Sequence, residues 1–204
     1  QKVGALVIPS GMGQSERQLK LMEYYGTTFI SGVASYVLRL AQVAQQIGLD
    51  LKKLKVKNGL FGAEMFSTGL KQRIMETWDI DAHDIYGLTE MCGPGVSTDC
   101  DQHNGLHLWE DHFLVEVLDP ITLDPVDTEE EGELVITTLT KNGMPIVRYR
   151  TRDIAKLYDE KTCECGRTHI KHTPIKGRSD DMVIIRGTNI YPGQIESVLM
   201  KNKN

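Results

Sequence analysis

Three short segments hold the residue types a nucleotide would need: Tyr86-Gly87-Leu88-Thr89-Glu90, Tyr149-Arg150-Thr151-Arg152-Asp153 and Gly177-Arg178-Ser179-Asp180-Asp181-Met182. A phenol ring can lie on a nucleobase, a carboxylate can accept from both ribose hydroxyls, and a guanidinium can neutralise phosphate. A hard divalent cation takes oxygen donors of the kind Glu90 offers. That inventory suits ATP. Each segment alone reads as an ordinary turn, and the order of all three, separated by strand-like sequence, is what makes a site.

A second group has the chemistry of a metal centre. In Cys163-Glu164-Cys165-Gly166-Arg167, two thiolates and a following glycine can hold one ion from a tight turn, with two further ligands closing a tetrahedron. Cys100 and His107 supply a Cys3His set, with Cys92, His103 and His169 as competitors. The expected ion is a structural Zn2+, because four protein ligands leave no open position for water. Against this stand the plain alternatives of a small buried cysteine and a satisfied surface histidine.

These residues need elements to position them. The first half alternates strand and helix signals: apolar residues at 3–8, a helix over 14–25, a strand over 27–31 and a helix over 35–47 ended by Gly48. A second unit places a strand at 54–60, Ser67 as N-cap of a helix reaching Trp78, and a strand over 82–86. Helical crossovers join parallel strands, so Tyr86 is expected at the carboxyl edge of a parallel sheet, where open α/β sheets bind ligands. After Glu90 come short strands, at 113–118, 133–137 and 154–158, and polar turns such as Asp119-Pro120 and Asp124-Pro125. The expected fold class is α/β: a parallel βαβ sheet, then a smaller antiparallel β region, then the start of a small C-terminal α+β domain. In domain terms, residues 1–178 form a large domain (1–90 α/β, 91–178 mostly β), and 179–204 a hinge with the beginning of a small one.

Composition narrows the partners. The chain has 204 residues, 40% of them apolar, and a net charge of -5 with its basic residues dispersed, which argues against nucleic acid. No apolar stretch approaches the roughly 20 residues a bilayer demands, and the N-terminus lacks a signal-peptide layout, so a cytoplasmic protein is expected. Four cysteines, two of them in Cys-x-Cys spacing, do not form a disulfide framework. A homodimer is compatible with all of this.

In order and spacing, the three nucleotide segments resemble the adenylate-forming enzymes, the superfamily of acyl-CoA synthetases, luciferases and peptide-synthetase adenylation domains. Four further phrases, Val7-Ile8-Pro9-Ser10-Gly11, Phe61-Gly62-Ala63-Glu64, Gly105-Leu106-His107-Leu108-Trp109-Glu110-Asp111-His112-Phe113 and Arg148-Tyr149-Arg150-Thr151-Arg152-Asp153, are most similar to the phenylacetate-coenzyme A ligases and other aryl-CoA ligases. The likeness runs through nearly the whole chain. It implies Tyr86 on one face of adenine and Gly62-Ala63-Glu64 on the other, with Asp84 accepting from the adenine amino group and Gly87 shaping the turn. It also implies Thr89 on the α-phosphate, Glu90 on Mg2+, Asp153 on the ribose hydroxyls and Arg178 on ribose or phosphate, with Thr89, Glu90 and Arg178 as the catalytic set. Asp180 matches the inter-domain hinge, and Arg186 and Gly187 the entry for coenzyme A. Two departures are Asn189 in place of a frequent arginine, and Val33-Ala34-Ser35-Tyr36 in place of the usual Thr-Pro-Ser-Tyr.

The implied reaction is ATP-dependent ligation of coenzyme A to an aromatic acid such as phenylacetate, through an acyl adenylate. The upstream phosphate loop and the downstream adenylation lysine of that superfamily are not in the sequence, so a partial chain with poor turnover of its own is expected. Trp109, Phe113, Tyr36 and Phe61 are the aromatic candidates for an acid pocket, with plain core as their alternative. Two further readings are a zinc-stabilised AMP- or ATP-binding module without ligase turnover, and an adenylate-fold remnant used for subunit contacts.

Overall fold

The computed structural model describes residues 2–11, 13–91, 93–158, 162–185 and 188–201. Its first half is built by amphipathic helices that cover a sheet. Helix α1 (Ser15–Tyr25), strand β1 (Phe29–Val33), helix α2 (Ala34–Gln46), strand β2 (Asn58–Gly62), helix α3 (Thr68–Trp78) and strand β3 (Asp81–Leu88) follow one another. Val37, Leu40 and Ala44 share one face of α2, and Leu70, Ile74 and Trp78 share one face of α3. Both faces bury against Phe61 of β2 and Ala82 of β3 in one apolar cluster. As expected, Ser67 caps α3, its hydroxyl accepting from the Leu70 N–H at 3.3 Å. Helix α2 ends where the backbone N–H groups of Gly48 and Leu49 return to the carbonyls of Gln45 and Ala44.

Strands β1, β2 and β3 are parallel, in register Gly62↔Ile85 at their carboxyl ends. The sheet then continues in the opposite sense. Strands β4 (Gly93–Thr98) and β5 (Leu106–Leu108) add to it antiparallel, and later in the chain β9 (Lys171–His172) closes its far edge. The second sheet is antiparallel and consists of β6 (Phe113–Leu118), β7 (Gly132–Thr138), β8 (Tyr149–Ala155) and β10 (Gly177–Arg178). A hairpin of β11 (Val183–Ile185) and β12 (Thr188–Ile190) and the helix α4 (Pro192–Lys201) follow.

Beyond end shifts of one or two residues, three elements differ from the sequence expectation. Residues 3–8 are not a strand: Val3, Leu6 and Val7 are exposed and β1 is the edge of the sheet, so an apolar run there gains no burial to offset ordering its backbone. The second strand starts at Asn58, because Leu51–Lys53 form a 3-10 turn capped by Asp50. The strand expected at 154–158 is shifted upstream to β8, where pairing with β7 covers Tyr149 to Ala155. No helix among the described residues is long and apolar enough to cross a membrane.

Trp78 joins the two helices, since its buried indole donates to the Val37 carbonyl at 3.1 Å. Replacing it with alanine opens a cavity and removes that bond between the helices. Trp78→Ala is expected to cost about 3–5 kcal/mol, read as a lower denaturant midpoint with unchanged slope.

Candidate functional site

The two sheets meet at a polar contact between the expected nucleotide residues. Tyr86, near the carboxyl end of β3, donates its hydroxyl to Oδ2 of Asp153 on β8 at 2.7 Å. Arg178 on β10 is the register partner of Asp153, and its Nη1 lies 3.8 Å from Asp153 Oδ1. Its Nε and Nη2 fork onto Asp180, each at 2.9 Å. Beside them Tyr149, at the start of β8, donates to Glu90 Oε1 at 3.1 Å, and the Lys141 ammonium sits on the Glu90 backbone carbonyl. Thr89 is exposed at the end of β3, next to Glu90. The fold therefore brings Tyr86, Asp153, Arg178 and Asp180 into one cluster, with Glu90 tied in through a residue of the same strand as Asp153. Arg186 and Gly187 lie outside the described residues.

Electrostatics favour a neutral phenol bonded to a carboxylate. Burial, and then the neighbouring Asp153 carboxylate, push the Tyr86 hydroxyl above its ordinary range. Burial also raises Asp153, against the opposing pull of the Tyr86 hydroxyl and the Arg178 guanidinium. Three carboxylates, of Asp153, Asp180 and Asp181, hold the Arg178 charge in place, Asp180 most closely.

Asp153 is aimed by a distortion of its strand. Arg152 has a φ of 69°, and the pairing of β7 with β8 shifts register between Glu133 and Val135. Bulges of this kind re-aim side chains beside sites, and a left-handed non-glycine residue persists only where its surroundings hold it. Here Glu133, fully buried, does the holding: its carboxylate takes the Arg150 guanidinium at 2.7 and 3.0 Å and the Arg152 N–H at 3.2 Å. Neither Glu133 nor Tyr149 stands out in the sequence as part of the site. Tyr149 opens the Tyr-Arg-Thr-Arg-Asp segment and so was within reach of sequence reasoning, whereas Glu133 gives no local signal.

The Gly62-Ala63-Glu64 turn forms the neighbouring wall. Gly62 comes so close to β3 that a Cβ on it would lie 2.3 Å from the Ile85 carbonyl oxygen, which is why only glycine fits. Ala63 has a φ of 66°. Glu64 turns its carboxylate to the start of α2, where it accepts from the Ser35 N–H at 2.5 Å and the Ser35 hydroxyl at 2.9 Å, a favourable place for negative charge. Burial, reinforced by the nearby Asp99 carboxylate, raises Asp84 on β3 to about 7. Asp99 itself is held below the usual carboxylate range: burial would raise it, but bonds from His83, Lys71 and His103 outweigh that effect. Asp81, His83 and His103 also lie within metal-binding range of one another. The Lys71 ammonium, however, is 2.8 Å from His103 Nδ1 and 2.5 Å from Asp99 Oδ2, so the positive charge of that cluster is already provided.

The four expected zinc ligands do converge. One donor atom each from Cys100, His107, Cys163 and Cys165 lie within 4.8 Å of one another. Among the competitors, His103 belongs to the Lys71 network, His169 offers His107 its backbone carbonyl, and Cys92 lies outside the described residues. Burial lowers the basicity of His107. Burial would raise the Cys165 thiol, yet the Arg167 N–H and guanidinium bring it down to about 7.

The aromatic candidates for an acid pocket do not share one. Phe61 and Tyr36 belong to the helix-covered core, while Trp109 and Phe113 belong to a separate cluster with Met91 and Ile136. Tyr36 sits on α2 near Phe61 in the first core, whereas Trp109 and Phe113 pack into the second.

The Asp84 shift has a consequence for stability. The folded protein keeps this proton up to about 7, while the unfolded chain releases it near 3.8, so between those values the folded state binds more protons and stability falls as pH rises. Asp84→Asn removes that loss. Relative to the parent, the variant is expected to melt higher at pH 8 than it does at pH 4 by thermal scanning; a pH-independent difference would contradict the shift.

Comparison with known proteins gives this geometry its relatives. Residues 2–140 match the family described as AMP-binding enzyme. Over 201 residues the chain is 42% identical to a phenylacetate-coenzyme A ligase of Thermus thermophilus, covering 98% of this chain and 45% of the relative. A protein of the same name from Escherichia coli is 40% identical over 203 residues, covering 98% and 46%. Our chain thus spans about half the length of the curated relatives it matches. Among solved structures, a 2-hydroxyisobutyryl-CoA ligase in the postadenylation state, in complex with R3-HIB-AMP, superposes with a TM-score of 0.86 at 30% identity, covering 95% of this chain and 41% of that one. The O-succinylbenzoate coenzyme A synthetase of Bacillus subtilis shares the fold, with a TM-score of 0.62 at 17% identity over 93% of this chain and 41% of that one. With the family matched over more than half of its residues, the chain belongs to the AMP-binding enzymes, the adenylate-forming group that includes phenylacetate-coenzyme A ligases.

Proposed function

We propose that this chain carries the adenosine-binding half of an ATP-dependent CoA ligase acting on an aromatic carboxylic acid such as phenylacetate. The observation that carries this reading is the Tyr86–Asp153–Arg178 cluster at the carboxyl edge of the sheet. The names of the relatives support the choice of acid.

In this reading, an oxygen of the acid's carboxylate attacks the α-phosphorus of ATP, and the bond from that phosphorus to the oxygen bridging to the β-phosphate breaks, releasing pyrophosphate. The thiol of coenzyme A, losing its proton, then attacks the acyl carbon and AMP leaves. Tyr86 and the Gly62-Ala63 turn enclose the base, Asp84 meets its amino group, and Asp153 accepts from the ribose hydroxyls. Thr89 contacts the α-phosphate. Glu90 is an oxygen donor suited to Mg2+, which when bound neutralises phosphate charge. Arg178 adds fixed positive charge, and catalysis is mostly positioning. Asp180, paired with Arg178, lies where residues 1–178 give way to a small domain beginning at 179, and a hinge there lets one pocket serve both half-reactions. The family likeness assigns Arg186 and Gly187, which lie outside the described residues, to the coenzyme A entry. The compartment is the cytoplasm.

The test is acid-dependent exchange of labelled pyrophosphate into ATP by the intact protein across a panel of aryl and alkyl acids. Exchange with arylacetates is expected, and none with any acid would overturn the reading. Asp153→Ala is expected to weaken ATP binding by about 2–3 kcal/mol, measured by calorimetry; an unchanged dissociation constant would remove Asp153 from the ribose role.

A further inference from the structure

The Cys100, His107, Cys163 and Cys165 donors have the spacing of a filled coordination sphere. Zinc at about 2.3 Å from sulfur and about 2.0–2.1 Å from nitrogen sets tetrahedral edges of about 3.8 Å between two sulfurs and about 3.6 Å between sulfur and nitrogen. The Cys100 and Cys163 sulfurs are 3.8 Å apart, and Cys165 sulfur is 3.5 Å from His107 Nε2. The imidazole is also set in the right tautomer, because its Nδ1 faces the His169 carbonyl at 3.4 Å and leaves Nε2 for an ion. The knuckle is preshaped: the Gly166 N–H returns to the Cys163 carbonyl at 2.8 Å, and Gly166 takes a φ of 84° that a side chain would strain. No disulfide links Cys100, Cys163 and Cys165, and the first two are buried.

The location says what such an ion would do. Cys100 follows β4, His107 lies within β5, and Cys163 and Cys165 sit in the connection that leads from β8 to β9. Strand β9 is only two residues long: it pairs Leu106↔His172 and His107↔Lys171 on one side and on the other meets residues 156–158 through a bridge to Leu157 and the Tyr158 N–H bond to the Lys171 carbonyl, so its own ladder is short. Yet β9 carries a working part. His172 is fully buried, its Nε2 is 2.6 Å from the Ser97 hydroxyl oxygen, and its ring packs edge-on against Tyr86 with centroids 5.6 Å apart.

We propose that Cys100, His107, Cys163 and Cys165 hold one Zn2+, and that this ion is the fastener that keeps β9 on the sheet and His172 behind Tyr86. Three thiolates and an imidazole select zinc over harder cations, and the closed sphere leaves it no catalytic position. The fastening stands on β9 and its contacts alone; only its relevance to nucleotide binding rests on the function proposed above.

Elemental analysis of the intact protein purified without chelator is expected to give about one zinc per chain, reduced to a trace in Cys163→Ser and Cys165→Ser. Cobalt-reconstituted wild-type protein is expected to show thiolate-to-cobalt charge transfer and the intense visible bands of tetrahedral Co2+. Removal of the metal from wild-type protein is expected to accelerate amide exchange in peptides spanning 168–173 and 83–88, and to leave the β6–β7 hairpin unchanged. Protein free of zinc that shows no thiolate band with cobalt overturns the metal site. A metal that comes away without altering exchange at 168–173 overturns the fastening. Neither result depends on ATP, so failure here is distinct from a missing pyrophosphate exchange.

Discussion

The hydrogen bond from Tyr86 to Asp153 is the join on which the site depends. One partner belongs to the six-stranded mixed sheet and the other to the four-stranded antiparallel sheet, so the bond exists only when both sheets are complete and docked. Tyr86 also contributes its ring to the two apolar clusters that pack between the sheets, alongside Leu157 and Val115. A single side chain thus supplies both packing and polar contact, which fixes the orientation of its ring.

Around that join, three carboxylates that the fold covers have partners. Glu133 takes Arg150 and the Arg152 amide, Asp99 takes Lys71 and two histidines, and Asp153 has Tyr86 and Arg178. Burying an ionised carboxylate without such partners would be expensive. Asp84 is the exception in kind, since burial and Asp99 raise its proton affinity. That places an easily protonated group on the same strand as Tyr86.

The overall alternation of strands and helices was legible because each signal is local. Apolar spacing marked α2 and α3, Ser67 marked a cap, and turn residues separated the later strands. The apolar run at 3–8 misled for the same reason: local hydrophobicity looks alike whether or not a neighbour exists to cover it. The parallel pairing of the first three strands was legible from their helical crossovers, but the sheet membership of the later strands was not. Strands β4, β5 and β9 look like members of the second, antiparallel region, yet they extend the first sheet, because pairing depends on which edges remain free once the parallel strands have assembled.

By itself the sequence determined the types of group available: a phenol, a hydroxyl, carboxylates and a guanidinium in order, and a Cys-x-Cys-Gly turn with a cysteine and a histidine upstream. Chemistry follows residue type, and residue type is read directly. Only the tertiary structure decided which groups share a site. It brought Cys100 and Cys163 to 3.8 Å, gave Glu90 to Tyr149, set Glu133 behind the bulge that aims Asp153, and sent the candidate pocket aromatics into separate cores. Those outcomes turn on strand register and on contacts between residues far apart in the chain, and no local pattern encodes them.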